Sequence, residues 1–269
     1  IEHYSTPRRN DRTDRFCLRA PREAFGKWQA HTVTDEDVDA YIRRRMNGAY
    51  GKSKVKPATV RRELNAFQAA LNFASSKKRI AGKPAFRFSK PQDGPRRDKW
   101  LNEKQVSLVK DNLSKADLDV RIFIKLALTY AVRVGAIKEL RFEDQVNFLT
   151  GSIDFNVPGR RVNRKRRPIV PMTESIRGDL EEAFKGHRPG TRILPYNVDR
   201  KYQAFMKSLG LEWATAHVLK HTAITSMLIN GTKPEDVATL TNTDLRTIMT
   251  VYRHYTMDEL RNIAEGRGI

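Results

Sequence analysis

The densest group of reactive side chains is the run Ala216-His217-Val218-Leu219-Lys220-His221-Thr222-Ala223. On a helix, His217 and His221 lie four residues apart and share a face. Three kinds of chemistry suit that pattern. Two histidines one turn apart can hold zinc, but the metalloprotease helix carries a Glu beside its first His to act as base, and Val218 stands there. Single histidines also sit satisfied in cores. The third use is a cluster of cationic donors aimed at a phosphate, with Lys220 supplying charge and a His supplying a hydrogen bond or a proton. The motif alone does not choose among them.

Three further segments carry chemistry. In Thr129-Tyr130-Ala131-Val132-Arg133-Val134-Gly135, a charged Arg133 ends an almost continuous apolar helix. A buried Arg is rare unless it is paired or binds an anion, and its planar fork matches two phosphate oxygens. The alternative is an Arg that reaches solvent or pairs with an acid such as Glu139. In Thr250-Val251-Tyr252-Arg253-His254-Tyr255, the aromatics can pack, or Tyr252 can act as a covalent nucleophile where donors stabilise the developing charge. In the run from Gly159 to Pro168, six basic residues (Arg160, Arg161, Arg164, Lys165, Arg166 and Arg167) lie between two predicted strands. Such a charge run is either a solvated face or a nucleic-acid-contacting hairpin tip.

The elements that must position these residues follow from patterning. Residues 1–92 read as helical. Thr34-Asp35-Glu36-Asp37 makes a capping-box-like start, followed by Val38, Tyr41, Ile42 and Met46 at helical spacing. A basic loop holding Lys54 leads to Pro57, which can open the next helix at its first turn. There Val60, Leu64, Phe67 and Leu71 form one apolar stripe, while Arg61, Arg62 and Glu63 are expected to point elsewhere. Gly82, Pro84, Pro91, Gly94 and Pro95 mark an extended stretch, so the expected organisation is a helical domain over 1–92, a linker over 93–99 and a second domain over 100–269. In that second part, helices are predicted near 102–113 and 119–132. Short strands follow at 145–148, 153–157 and 167–171, then helices at 174–184, 199–209, 216–230, 234–240, 244–251 and 257–265. The fold class is mainly α with a small β-meander, an α+β protein.

Composition narrows the partner. The chain of 269 residues carries 51 Lys and Arg against 31 Asp and Glu, a net charge of +20. That excess favours a nucleic acid over a small-molecule substrate, and over an anionic membrane surface as the lesser option. No stretch approaches the ~20 apolar residues of a membrane-spanning helix. With Cys17 as the only cysteine, an intramolecular disulfide is impossible, which fits a reducing, intracellular compartment. The chain starts at Ile1 without a Met, so a further N-terminal module ahead of it stays open. No carboxylate cluster for Mg²⁺ is present in the sequence, and no cofactor is expected.

In their order along the chain, these segments resemble the tyrosine recombinase (phage integrase) family: a helix-end Arg, a basic β-hairpin, a His-x-x-Arg-like element and a Tyr near the C-terminus. Residues 57–73, with Arg61-Arg62-Glu63-Leu64, resemble the family's helical core-binding domain. Residues 155–171 and the run Tyr252-Arg253-His254-Tyr255 resemble a proteobacterial branch of prophage and genomic-island integrases. The resemblance implies a C-shaped clamp of two domains around duplex DNA and a 3′-phosphotyrosyl intermediate formed by Tyr252. Arg133, His217 and Lys220 would act on the scissile phosphate, and Lys165 would protonate the leaving 5′-oxygen. DNA contacts would come from Lys54, Arg61, Arg62, Arg160, Arg161, Arg164 and Arg166. It further implies a homotetramer on DNA, accessory DNA-bending factors and a cytoplasmic, nucleoid-associated setting.

The sequence departs from the family pattern at three places. Lys220 stands where a second Arg is usual, which loses the bidentate fork. Thr243, which the resemblance places in the catalytic set, stands where His or Trp is usual. Asn163 or Arg164 competes with Lys165 for the hairpin position. The alternatives are therefore a weakened or inactive DNA-binding member of the same fold, or a type IB topoisomerase-like activity.

Overall fold

In the computed structural model, residues 11–51, 53–80, 91, 99–159 and 167–251 are described. The chain separates into two compact units, Ile1–Arg97 and Asp98–Ile269. Each has its own core.

The first unit contains α1 (Asp11–Phe25), a 3₁₀ turn (Ala30–Thr32), α2 (Asp35–Met46) and α3 (Pro57–Ser76). The capping box at Thr34 is present: its hydroxyl accepts from the Asp37 N–H at 3.3 Å, and the Asp37 carboxylate accepts from the Thr34 N–H at 3.0 Å. Pro57 opens α3, where its missing N–H costs nothing. Val38, Tyr41, Val60, Leu64 and Phe67 form the core with Phe25, whose ring stacks on Phe67 at 5.3 Å.

One expectation here is corrected. Arg61 and Arg62 do face solvent, but Glu63 does not. It is 4% exposed and accepts from the Tyr41 hydroxyl at 2.7 Å and from Arg45 Nε and Nη2 at 3.1 and 3.0 Å. The buried Arg45 also donates to the Ala49 and Ser53 carbonyls at 3.4 Å, holding the basic loop between α2 and α3. The stripe on α3 is wide enough to include Glu63 because a full countercharge on α2 meets it.

The second unit runs α4 (Glu103–Asp111), α5 (Leu118–Tyr130), α6 (Val134–Lys138), α7 (Phe142–Gln145), β1 (Val146–Asn147), β2 (Ser152–Asp154), β3 (Ile169–Pro171), α8 (Glu174–Lys185), α9 (Val198–Ser208), α10 (Ala216–Ile229), α11 (Pro234–Thr241) and α12 (Leu245–Val251). The strands form one antiparallel sheet in the order β1-β2-β3, with Ile153 paired to Val146 and to Val170. The mainly helical α+β architecture matches the sequence pattern.

The strands are shorter than predicted. The Asn147 side chain accepts from the Leu149 and Thr150 N–H groups and so closes the β1–β2 turn early, while Asp154 accepts from the Asn156 N–H and ends β2. Gln145, predicted to start a strand, ends α7 instead; its side chain accepts from the Arg141 N–H and donates to the Asp154 carbonyl. The predicted helix at 257–265 lies outside the described residues.

The helix expected to run to residue 132 stops at Tyr130. Ala131 adopts the left-handed conformation with φ 50°, and α6 begins after Arg133. The Tyr130 hydroxyl, donating to the Pro171 carbonyl at 2.6 Å and accepting from the Thr173 N–H at 3.2 Å, ties this helix end to the sheet edge. Arg133 is consequently an exposed, extended residue between two helices rather than a buried helix-end Arg. The carboxylate of Glu139 is engaged by Arg167 at 2.6 Å.

Candidate DNA-cleavage site

α10 crosses the apolar α5 in the middle of the second unit's core, with Leu219, Thr222, Ala223 and Ile224 all buried. Its register is fixed from outside as well: the Leu101 N–H donates to the Thr222 hydroxyl at 2.9 Å, which in turn donates to the Val218 carbonyl. This arrangement places Lys220 on an inward face at only 8% exposure.

The Lys220 ammonium donates to the Ala131 carbonyl at 2.8 Å and to the Thr243 hydroxyl at 3.0 Å. Both acceptors sit at helix ends finished by left-handed residues. Ala131 closes α5, and Asn242, with φ 44°, closes α11 just before Thr243. A left-handed residue turns the chain sharply at a helix C-terminus. Here two such turns bring a carbonyl and a hydroxyl to one amine.

Arg133 follows Ala131 by two residues, and His217 precedes Lys220 by one turn of α10. Burial, followed by the charge of Arg133, pulls the Lys220 ammonium down from its ordinary 10.5 to about 8. His217 retains an exposed edge, yet enclosure of part of its ring, then Lys220 and Arg133, lower its pKa as well. Lys220 and His217 both feel the charge of Arg133, which puts the three groups in one neighbourhood. The His217 and His221 rings lie 4.7 Å apart at 88°, which confirms the shared face. Lys220 has no carboxylate partner among the described residues; its two acceptors are neutral. Basic groups with shifted pKa values, one of them held only by neutral acceptors, make this region a candidate anion site.

The structure therefore brings Arg133, His217, Lys220 and Thr243 into one region of the second unit. Lys54, Arg61 and Arg62 are exposed on the first unit, before and along α3. Arg160, Arg161, Arg164, Lys165, Arg166 and Tyr252 lie outside the described residues; Tyr252 is the residue after the end of α12. One participant was missing from the sequence reading. The Ala131 carbonyl has no side-chain signal at all. Thr243 was among the candidate site residues, as a departure from the pattern, and Asn242 before it is one of the few residues that tolerate a left-handed turn.

Known structures share this fold. The Tn1549 transposon integrase in complex with circular intermediate DNA superposes with a TM-score of 0.72 at 16% identity, covering 98% of this chain and 96% of that one. The XerH site-specific recombinase bound to a palindromic difH substrate gives 0.71 at 14% identity, covering 94% and 78%. The architecture is thus that of DNA integrases and recombinases. Among sequence relatives, tyrosine recombinase XerC of Chlamydia muridarum is 26% identical over 250 residues, covering 83% of this chain and 74% of that protein. XerC of Chlamydia caviae is 24% identical over 267 residues, covering 90% and 80%. The profile of the phage integrase family matches residues 99–259, and the chain belongs to that family of tyrosine-type, site-specific DNA recombinases.

Proposed function

We propose that this recombinase cuts and rejoins duplex DNA through Tyr252, with Arg133, His217 and Lys220 acting on the scissile phosphate. The observation that carries the reading is the buried Lys220 ammonium, held by two neutral acceptors beside Arg133 and His217.

A tyrosine hydroxyl has an ordinary pKa near ~10 and is a poor nucleophile against a charged phosphodiester. As the phenol oxygen attacks, negative charge grows on the non-bridging oxygens, and Arg133 and Lys220 offset it. His217, with its lowered pKa, is neutral at pH 7 and can accept a hydrogen bond or a proton from the phenol. Lys165 delivers a proton to the departing 5′-oxygen. The bond energy is kept in the 3′-phosphotyrosine, so the reverse attack by a new 5′-hydroxyl needs no external energy source.

The first unit is the core-binding domain. Its exposed Lys54, Arg61 and Arg62 contact phosphates, as do the hairpin residues Arg160, Arg161, Arg164 and Arg166. The finer assignment is a mobile-element integrase of the proteobacterial prophage and island type. It would assemble as a tetramer on two duplexes with DNA-bending partners, in the cytoplasm on the nucleoid.

A nicked suicide substrate from the ends of the host element tests the reading. The expected result is a covalent protein–DNA band that Tyr252→Phe abolishes. Binding without any such band is the outcome for an inactive DNA-binding descendant. Relaxation of supercoiled plasmid without a specific site is the outcome for a topoisomerase-like activity.

A further inference from the structure

Lys220 and Thr243 both depart from the family pattern, and they are hydrogen-bonded to each other at 3.0 Å. Both side chains are 8% exposed. The Thr243 hydroxyl lies 3.4 Å from the Thr241 carbonyl and donates to it, so its lone pairs are left to accept from the ammonium. An ammonium has three N–H donors and no acceptor. Here the Ala131 carbonyl takes one and Thr243 takes another, and among the described residues the third has no protein partner.

Resting on the functional reading above, we propose that Thr243 is a positioning residue that works through Lys220: its hydroxyl, with the Ala131 carbonyl, aims the ammonium so that its remaining N–H meets the phosphate. The two departures are then one paired change rather than two losses. A lysine is a flexible stem with a point charge, and unlike the arginine fork it does not fix its own geometry. It needs acceptors that do so. An indole at position 243 would offer the ammonium no hydrogen-bond acceptor, its N–H being a donor only. Threonine is small, stiff at χ1 and supplies an acceptor.

The charged groups coupled to the ammonium are Arg133, on the segment after α5, and His217 on α10; in the chain, His221 follows Lys220 and Asp244 follows Thr243. The Asp244 carboxylate accepts from the Thr247 N–H at 3.2 Å and so caps α12. Of these, Arg133 opposes the protonated form of Lys220, as burial does more strongly. Thr243 and Ala131 act in the other direction by accepting from it.

Two readouts test the pairing. In the free 269-residue chain with ¹³Cε-labelled lysine, the Lys220 signal is the one that Lys220→Arg removes. Thr243→Val, nearly isosteric but without an acceptor, is expected to move its titration to lower pH. Thr243→Ser is expected to leave it at the wild-type position. An unmoved titration in Thr243→Val overturns the proposal whether or not DNA is cut, so the test does not depend on the recombinase reading.

On the nicked suicide substrate, Thr243→Val is expected to slow covalent-complex formation at least about tenfold, the worth of one hydrogen bond to a charged group. It should also shift the alkaline limb of the rate profile downwards, with Thr243→Ser restoring both. In a Lys220→Arg background the same Val change should cost less than about threefold. Equal losses in the two backgrounds overturn the pairing, because Thr243 would then act without Lys220. A wild-type chain that forms no covalent complex while the titration still moves refutes the recombinase reading and supports the Lys220–Thr243 contact.

Discussion

Among the described residues, each of the two units buries one long cationic side chain, and they treat it in opposite ways. In the first, Arg45 meets the full countercharge of Glu63, which also accepts from Tyr41. That network is closed: the charges cancel, and the spare guanidinium donors hold the carbonyls of Ala49 and Ser53. In the second, Lys220 meets a carbonyl and a hydroxyl, with two more basic groups nearby. That network is open in the sense that Lys220 meets no carboxylate among the described residues. The difference separates a buried cation that shapes the fold from one that the proposed function assigns to a phosphate.

Breaking the closed network should give the largest effect on stability. Glu63→Gln leaves Arg45 buried without its countercharge, so urea unfolding of the first unit should weaken by about 3–5 kcal/mol. Only the transition assigned to the first unit should move. A loss below about 1 kcal/mol would mean the pair is no more than a surface-type contact.

Breaking the open network should do the reverse. Lys220→Met should lower covalent-complex formation about 10²–10³-fold, a loss of roughly 3–4 kcal/mol of transition-state stabilisation. It should also stabilise the free protein at pH 7, by about 1 kcal/mol after the lost hydrogen bond to Ala131 is counted. The pH dependence carries a definite sign. The folded-state value of Lys220 lies at about 8 against 10.5 for the ordinary side chain, so between those values the unfolded chain binds more protons. Wild-type stability relative to Lys220→Met should therefore rise as pH climbs from 8 towards 10.5, and the gap between the two should close. Parallel stability curves would contradict a buried, desolvated ammonium.

A smaller change sharpens the same contrast. Ala131 holds φ 50°, which costs a residue with a Cβ about 1–2 kcal/mol. Ala131→Gly should raise thermal stability by less than about 1 kcal/mol, because glycine also loses more backbone entropy on folding. Its cleavage rate should fall if the fixed carbonyl matters for aiming Lys220. The smallest effect is expected on the first unit's surface. Arg61→Ala should weaken DNA binding alike for all sequences and reduce the slope of log affinity against log salt by about 1.

Much of this was legible in the residues. The cap at Thr34, the opening at Pro57, the apolar stripe of α3 and the apolar run of α5 follow from spacing and local chemistry. The gathering of Arg133, His217 and Lys220 was signalled by their types and by the resemblance they carry. The end of α5 was not legible, because the apolar run continues unbroken through Val132 and alanine gives no hint of a left-handed turn. The burial of Glu63 was hidden for a related reason: a carboxylate enters a core only when its partner is known, and Arg45 lies on another helix. The strand ends were set by the side chains of Asn147 and Asp154, which compete with the ladder for backbone groups.

The most direct measurement uses a suicide substrate in which the scissile phosphate is replaced by an uncharged methylphosphonate. If Arg133 and Lys220 act by offsetting phosphate charge, Lys220→Met and Arg133→Ala should recover most of their cleavage deficit on the neutral linkage. Deficits that stay as large on the neutral linkage as on the phosphate would contradict the account, since the cations would then be serving some purpose other than neutralising that charge.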